Sequence, residues 1–414
     1  MELVVTIIKM MGQVLFNTFT SPFFLALFGL LFLLLAWQYN RQEKLSASLI
    51  NVRPGNFMQS ALRSTLLGLL GGILGSILMV FLGVDLNSIS ITALWMVSLL
   101  LMLIQPRFLC FAYAAGVLAI TNLLFGFPHI SIPQLMGLVA ILHMIESLLI
   151  LLNGSFHPPA VYVKRQGQLC GGFNLQLFWP IPLLALMSVG YHDAAAVGTE
   201  MPKWWPLLKD YASFADHQAF TILPVMAVLG YGEICTTRTP RQASRRSARL
   251  LFLFSLILLL IALLSSRMPI FLPLAAIFSP LGHELVIWLG MRAETRPPLY
   301  VPAERGLMLL EVLPGSSAAR AGLKSGDIIL QANGGAINHY QDLQELLKNV
   351  RLPLQLEIER ANRLINLTWR PSQDRNSGVV PVPEPNTSAY LVWQEDRYFF
   401  MARRIWQRLK ALVA

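Results

Sequence analysis

GLMLLEVLPGSSAARAGLKSGDIIL, residues 306–330, is the stretch on which the reading of this 414-residue chain turns. Leu307 to Leu313 form an apolar, strand-like run after Arg305-Gly306, and Pro314-Gly315-Ser316-Ser317 predicts a turn into a short helix over SAARAG. Lys324-Ser325-Gly326-Asp327 predicts a tight turn into a strand from Ile328 to Ala332, and Asn333-Gly334-Gly335 a hairpin-like turn. Beyond it, Asn338 suits the N-cap of a helix at about 339–349, followed by two alternating strands, 353–360 and 363–370, joined by Ala361-Asn362. This order of elements describes a small β-barrel with two helices, a soluble module spanning 293–371.

What precedes the module has a different solvent. The chain is 55% apolar and 13% charged, against about 25% charged for an ordinary globular domain. A hydrocarbon core about 30 Å thick needs about 20 apolar helical residues to cross it. Nine stretches offer that length, near 21–38, 60–83, 88–105, 108–127, 133–152, 173–190, 217–234, 250–266 and 270–290. Residues 1–292 are thus predicted to be an all-α polytopic membrane domain. No Ala-x-Ala-like processing site follows the first apolar block, so it reads as a retained span.

The formal net charge of +10 is distributed by loop. Arg41, Lys44, Arg53 and Arg63 lie in 39–63, Arg107 in a later turn, Lys164 and Arg165 in 153–172, and Arg238, Arg241, Arg245, Arg246 and Arg249 in 235–249. The alternate loops are poor in Lys and Arg or rich in Asp and Glu. The positive-inside rule then places the N-terminus outside and the C-terminal module in the cytoplasm, at the cell membrane. These charges serve as topology signals, so no nucleic-acid partner is expected. Cys110, Cys170 and Cys235 show no metal-binding or redox spacing, and there is no Walker A pattern, dinucleotide fingerprint or GxSxG elbow. No catalytic residue, metal ligand or cofactor is assigned, and the chain reads as a non-enzyme.

The run from Gly306 to Arg370 resembles a PDZ domain of the bacterial type, with PGSSAARAGLKSGDIIL its most specific part. The resemblance implies that the loop Arg305, Gly306, Leu307 and Met308 captures a peptide carboxylate through backbone N–H groups. It also implies that the strand through Leu309 accepts a peptide by strand addition. The first, fifth and eighth positions of the second helix would line the groove; here they are Tyr340, Gln344 and Leu347, which share one helical face. The carboxylate loop departs from the family's Gly-rich pattern. It reads Pro302-Ala303-Glu304-Arg305-Gly306, with a Glu opposing an anionic terminus and an Arg favouring it, which leaves internal peptide segments open as ligands.

A polytopic chain with a PDZ domain also invites comparison with intramembrane zinc proteases of the site-2 type, whose metal helix carries HExxH. The nearest match, His283-Glu284-Leu285-Val286-Ile287, puts Ile287 where the second His must stand. Ionisable residues inside a membrane are costly, and His143, Glu146, His283 and Glu284 would be the polar centre of an intramembrane enzyme relative or a transport component. The same SPLGHE segment also reads structurally, with Ser279, Pro280 and His283 kinking and pinning the last helix and Glu284 paired to an Arg.

Residues 372–389 are rich in Pro, Ser and Asn and read as an extended, mobile linker. Residues 390–414 interleave Trp393, Tyr398, Phe399, Ile405, Trp406, Leu409 and Leu412 with Arg397, Arg403, Arg404, Arg408 and Lys410, the pattern of a basic amphipathic helix. Such a helix fits anionic membrane lipid or a partner helix. Many spans, a cytoplasmic PDZ domain and no catalytic set resemble, as an architecture, the MinJ-type cell-division topological determinants. That resemblance implies a scaffold enriched at septum and poles, bridging a DivIVA-like polar scaffold and MinD, with other division proteins as partners and self-association open.

Overall fold

Four residues of helix rise about 6.0 Å and two residues of strand about 6.8 Å, and one seam in the computed structural model exploits that near-match. Described residues are 2–50, 56–189, 205–208, 219–349, 353–371 and 378–392. The first helices are α1 (Glu2–Thr20), α2 (Pro22–Ile50), α3 (Phe57–Leu82), α4 (Ile91–Ile104), α5 (Phe111–Phe125) and α6 (Ile132–Asn153). Strands β1 (Ala160–Arg165), β2 (Gln168–Asn174), β3 (Leu177–Val189), β4 (Ala219–Tyr231) and β5 (Ile234–Cys235) follow, then helices α7 (Pro240–Ser265) and α8 (Leu272–Ala293).

Two of the nine stretches read as helical spans, 173–190 and 217–234, are therefore largely strands: β3 and β4 form a 13-residue antiparallel ladder from Leu177↔Tyr231 to Val189↔Ala219. Proline is the reason. Pro180 and Pro182, two residues apart, would each delete a helical hydrogen bond and clash with the preceding turn. In the ladder, Pro180, Pro182 and Pro224 (opposite Leu184) all belong to the set of pairs whose N atoms turn away from the partner strand. Leu184 shows where that edge goes, since its N–H donates to Ser76 Oγ at 2.8 Å. Gly68, Gly72 and Ser76 of α3 thus meet Pro180, Pro182 and Leu184 of β3 in step. A Cβ at Gly68 or Gly72 would overlap the Pro180 or Pro182 carbonyl. Helix α3 covers the strand edge that a membrane interior cannot hydrate.

Among the described residues, five helices are long and apolar enough to cross a membrane: α2, α3, α6, α7 and the run Pro269–Ala293 that contains α8. Helices α4 and α5 have 14 and 15 residues, about 21 to 23 Å, short of the hydrocarbon thickness. The Arg107 turn between them consequently lies within the height of the bundle. The 39–63 segment, read as a loop, is helical on both flanks, α2 running to Ile50 and α3 starting at Phe57. Helix α7 starts on a capping box, with Thr239 and Gln242 exchanging side-chain-to-backbone bonds and Pro240 at the first turn.

The C-terminal module comprises β6 (Leu307–Val312), α9 (Ser317–Arg320), β7 (Ile328–Ala332), β8 (Gly335–Ala336), α10 (Tyr340–Asn349), β9 (Leu354–Arg360) and β10 (Arg363–Trp369), close to the boundaries predicted from sequence. Two further strands, β11 (Val379–Pro381) and β12 (Leu391–Val392), lie in the segment read as mobile linker and at the start of the tail. That expectation is corrected: alternating Val and Pro from Val379 to Pro383 supply a strand whose prolines need no ladder donor. The sheets run β10-β9-β7-β6-β11 and β12-β1-β2-β5. Residues 393–414, read as an amphipathic helix, lie outside the described residues.

Candidate peptide-binding site

Strand β6 has two faces and two edges, and each is engaged. Leu307 and Leu309 point into the module's core with Ile329, Leu343, Ile358 and Trp369. Met308 and Leu310 face the other way, against Ala160, Tyr162, Phe173, Tyr300, Val380 and Val382. The module is thereby docked on the β1–β2 sheet, where Gly171 N–H donates to the Tyr300 carbonyl at 2.8 Å. A Cβ at Gly171 would crowd Leu310. Glu294, at the end of α8, accepts from Thr236 N–H at 2.9 Å and Thr237 Oγ1 at 2.8 Å, tying the end of that helix to the residues just after β5.

One edge of β6 pairs with β7, Leu307↔Ile329. The other edge, on which the sequence reading places a peptide, pairs antiparallel with the chain's own β11, Val379↔Val312 and Val380↔Glu311. Leu313 N–H donates to the Gly378 carbonyl at 2.8 Å and Val382 N–H to the Met308 carbonyl at 3.0 Å. Alternation then turns Pro381 and Pro383 outward, away from β6, and Tyr162 Oη donates to the Pro381 carbonyl at 3.0 Å. With prolines there, the outer edge of this strap is poor in N–H donors, and a further strand finds few partners on it. At the strap's end Glu384 Oε1 accepts from Tyr340 N–H at 2.8 Å, so a carboxylate sits at the N-terminus of α10.

The other residues singled out from sequence fall as follows. Gly306 is at φ +88°, where a side chain is strained, and a Cβ there would crowd Ile328. Its N–H donates to Asn338 Oδ1 at 3.2 Å, so Asn338 serves the loop, not the helix cap. Asp342 takes the capping role, accepting from Asn338 and His339 N–H at 3.0 and 2.9 Å. Those backbone bonds hold its carboxyl below the usual range. Arg305 is exposed, Tyr340 and Leu347 are half-buried against the core, and Gln344 between them is exposed. The GD turn is locked by Asp327, 1% exposed, whose carboxylate takes two bonds from Arg360 at 2.6 and 2.7 Å. Sequence reasoning missed Val380, Val382 and Glu384, though the period-two VVPVP pattern was the available signal.

In the bundle, Ser279 Oγ donates to the Ala112 carbonyl at 2.8 Å and Pro280 packs where a Cβ on Gly116 would stand. Glu284 pairs with Arg107 at 3.2 Å and accepts from Tyr113 Oη at 2.6 Å. The SPLGHE segment does pin the last helix.

Residues 309–360 match the family model of the PDZ domain. The chain is 24% identical to the cell division topological determinant MinJ of Bacillus subtilis over 220 residues, 52% of each chain. It is 28% identical to the protease RseP of Yersinia pestis over 120 residues, 26% of this chain and 27% of that one. It is 31% identical to the periplasmic serine endoprotease DegP of Escherichia coli K12 over 100 residues, 24% of this chain and 21% of that one. The chain thus spans about half the length of the MinJ relative and about a quarter or less of the two proteases. It is a PDZ-containing, MinJ-like chain with several membrane-length helices.

Proposed function

We propose that the chain is a non-enzymatic membrane scaffold whose PDZ domain binds an extended segment of a partner protein on β6, after the strap 378–384 has left that strand. One observation carries the reading: the edge of β6 on which a peptide would add is filled by a strand of the same chain, whose prolines leave a poor outer edge. Strand exchange is then the way for a partner to gain the ladder, with backbone bonds supplying affinity and the Tyr340–Leu347 face supplying selectivity. Arg305, exposed just before β6, would meet the end of an incoming segment. The membrane helices confine this site to a surface, raising its effective concentration toward partners on the same membrane.

The likeness to MinJ over half the chain supports a place in positioning cell division, with the PDZ domain on the cytoplasmic side and division proteins as partners. The test has two readouts. In full-length protein from native membranes, Val380→Asp with Val382→Asp is expected to free the strap and raise partner recovery above wild type; unchanged recovery contradicts strand exchange. In dividing cells a fluorescent fusion is expected at septum and poles; uniform membrane fluorescence with normal septum placement after deletion contradicts the division role.

A further inference from the structure

The turn between α4 and α5 carries Cys110 into the middle of the bundle, where two imidazoles meet it. Cys110 Sγ lies 3.1 Å from His143 Nε2 and 3.6 Å from His283 Nε2. The three atoms all lie within 4.8 Å of one another. His143 and His283 stand near the middle of 22-residue helices, α6 and α8. With Zn–S bonds of about 2.3 Å and Zn–N bonds of about 2.0 to 2.1 Å, a tetrahedral site separates sulfur from nitrogen by about 3.6 Å. The Cys110–His283 distance matches that separation, while the Cys110–His143 distance is shorter and would lengthen by about 0.5 Å around an ion.

The tautomer is set for coordination. His143 Nδ1 lies 2.7 Å from the Val139 carbonyl, an acceptor, so Nδ1 carries the proton and Nε2 presents its lone pair to Cys110. A thiol has one proton and satisfies one imidazole nitrogen; a cation satisfies the sulfur and both nitrogens together. The shell is aromatic. Phe254 packs edge-on against both rings, at centroid distances of 5.5 and 5.6 Å, and Tyr113 against His283 at 5.3 Å. Glu146 follows His143 by one turn on the same face of α6, a carboxylate able to balance the charge left by a divalent ion and one thiolate.

We propose that Cys110, His143 and His283 bind one thiophilic divalent cation of the Zn²⁺ class, stapling the α4–α5 turn to the middles of α6 and α8. Both imidazoles bind neutral, and the Cys110 thiol releases its proton to solvent as the metal–sulfur bond forms. Three protein ligands leave a fourth position for water or another small ligand. The site shares His283 with the HExxH-like run but takes its other ligands from Cys110 and His143, since Ile287 fills the second His position of that run.

The test uses full-length protein in detergent carrying Cys170→Ser and Cys235→Ser, which leaves Cys110 as the sole thiol. Titration with Co²⁺ is expected to give a thiolate-to-cobalt charge-transfer band at roughly one equivalent, bleached by Zn²⁺. Cys110→Ser should abolish the band, and His143→Gln or His283→Gln should each weaken binding by at least about tenfold. Absence of the band in folded Cys110-only protein overturns the proposal, and that measurement stands even if a ligand variant fails to fold. A band that survives both His variants unchanged also overturns it.

Discussion

The strap-filled edge of β6 and the Cys110–His143–His283 cluster are built in opposite ways. At β6, most of the site comes from one continuous stretch, and the one distant contributor, Gly378 to Glu384, is attached through backbone pairing. In the bundle, every contributor comes from a different element, 33 and 173 residues apart in sequence from Cys110, and the attachment is through side chains alone. A backbone-built site tolerates exchange of one strand for another. A side-chain site held by a turn and two packed helices does not, and it would stiffen what it joins.

The sharpest way to break this contrast is to disturb the seam that lets the bundle pack. Gly72→Leu drives a side chain into the Pro182 carbonyl, and is expected to cost about 3 kcal/mol or more. Thermal unfolding in detergent checks it; a wild-type midpoint would mean that α3 and β3 are not in contact. Asp327→Ala leaves Arg360 without its bidentate partner and should cost about 3 kcal/mol, read from denaturant unfolding, with loss of the PDZ core packing.

A smaller effect separates the two sites. Alanine at His283 and Glu284 is expected to leave partner capture by the PDZ domain within about twofold of wild type at equal protein level, since the two sites share no residue. Complete loss of function with normal protein level would instead place chemistry or transport in the bundle.

The smallest expected effect is a pH dependence of strap docking. Burial pushes the Glu311 carboxyl, opposite Val380, up to about 7. A group raised from its ordinary value favours the docked fold below about 4.5 and loses that contribution as pH rises through about 7. Strap amides should therefore exchange faster at pH 8 than at pH 5.5 beyond the intrinsic rate change, and Glu311→Gln should flatten the difference. An identical ratio in that variant would remove Glu311 as the cause.

The PDZ fold was legible because its information is local: Pro314-Gly315, Gly326-Asp327 and Asn333-Gly334 mark turns, and alternation marks the strands between. The strap was not, because Pro381, Pro383 and Pro385 read as linker chemistry when only composition is weighed. On a sheet's outer edge those same prolines are well tolerated. The β3–β4 pair was mistaken for two spans because apolar length outweighed Pro180 and Pro182, although two prolines two residues apart argue for strand. The cluster at Cys110 has no sequence signature, since ligands drawn from a turn and two helices obey no spacing rule. Its only trace was polar residues at positions that apolar ones would fill without penalty.

Locking the strap tests strand exchange most directly. Val312 and Val379 face each other across β6 and β11, so Val312→Cys with Val379→Cys places a disulfide across the pair. Full-length protein carrying the lock is used to capture partners from native membranes, oxidised and then reduced. The account predicts that oxidised protein recovers none of the strand-dependent partners and that reduction restores them; the same partners recovered in both states would contradict it.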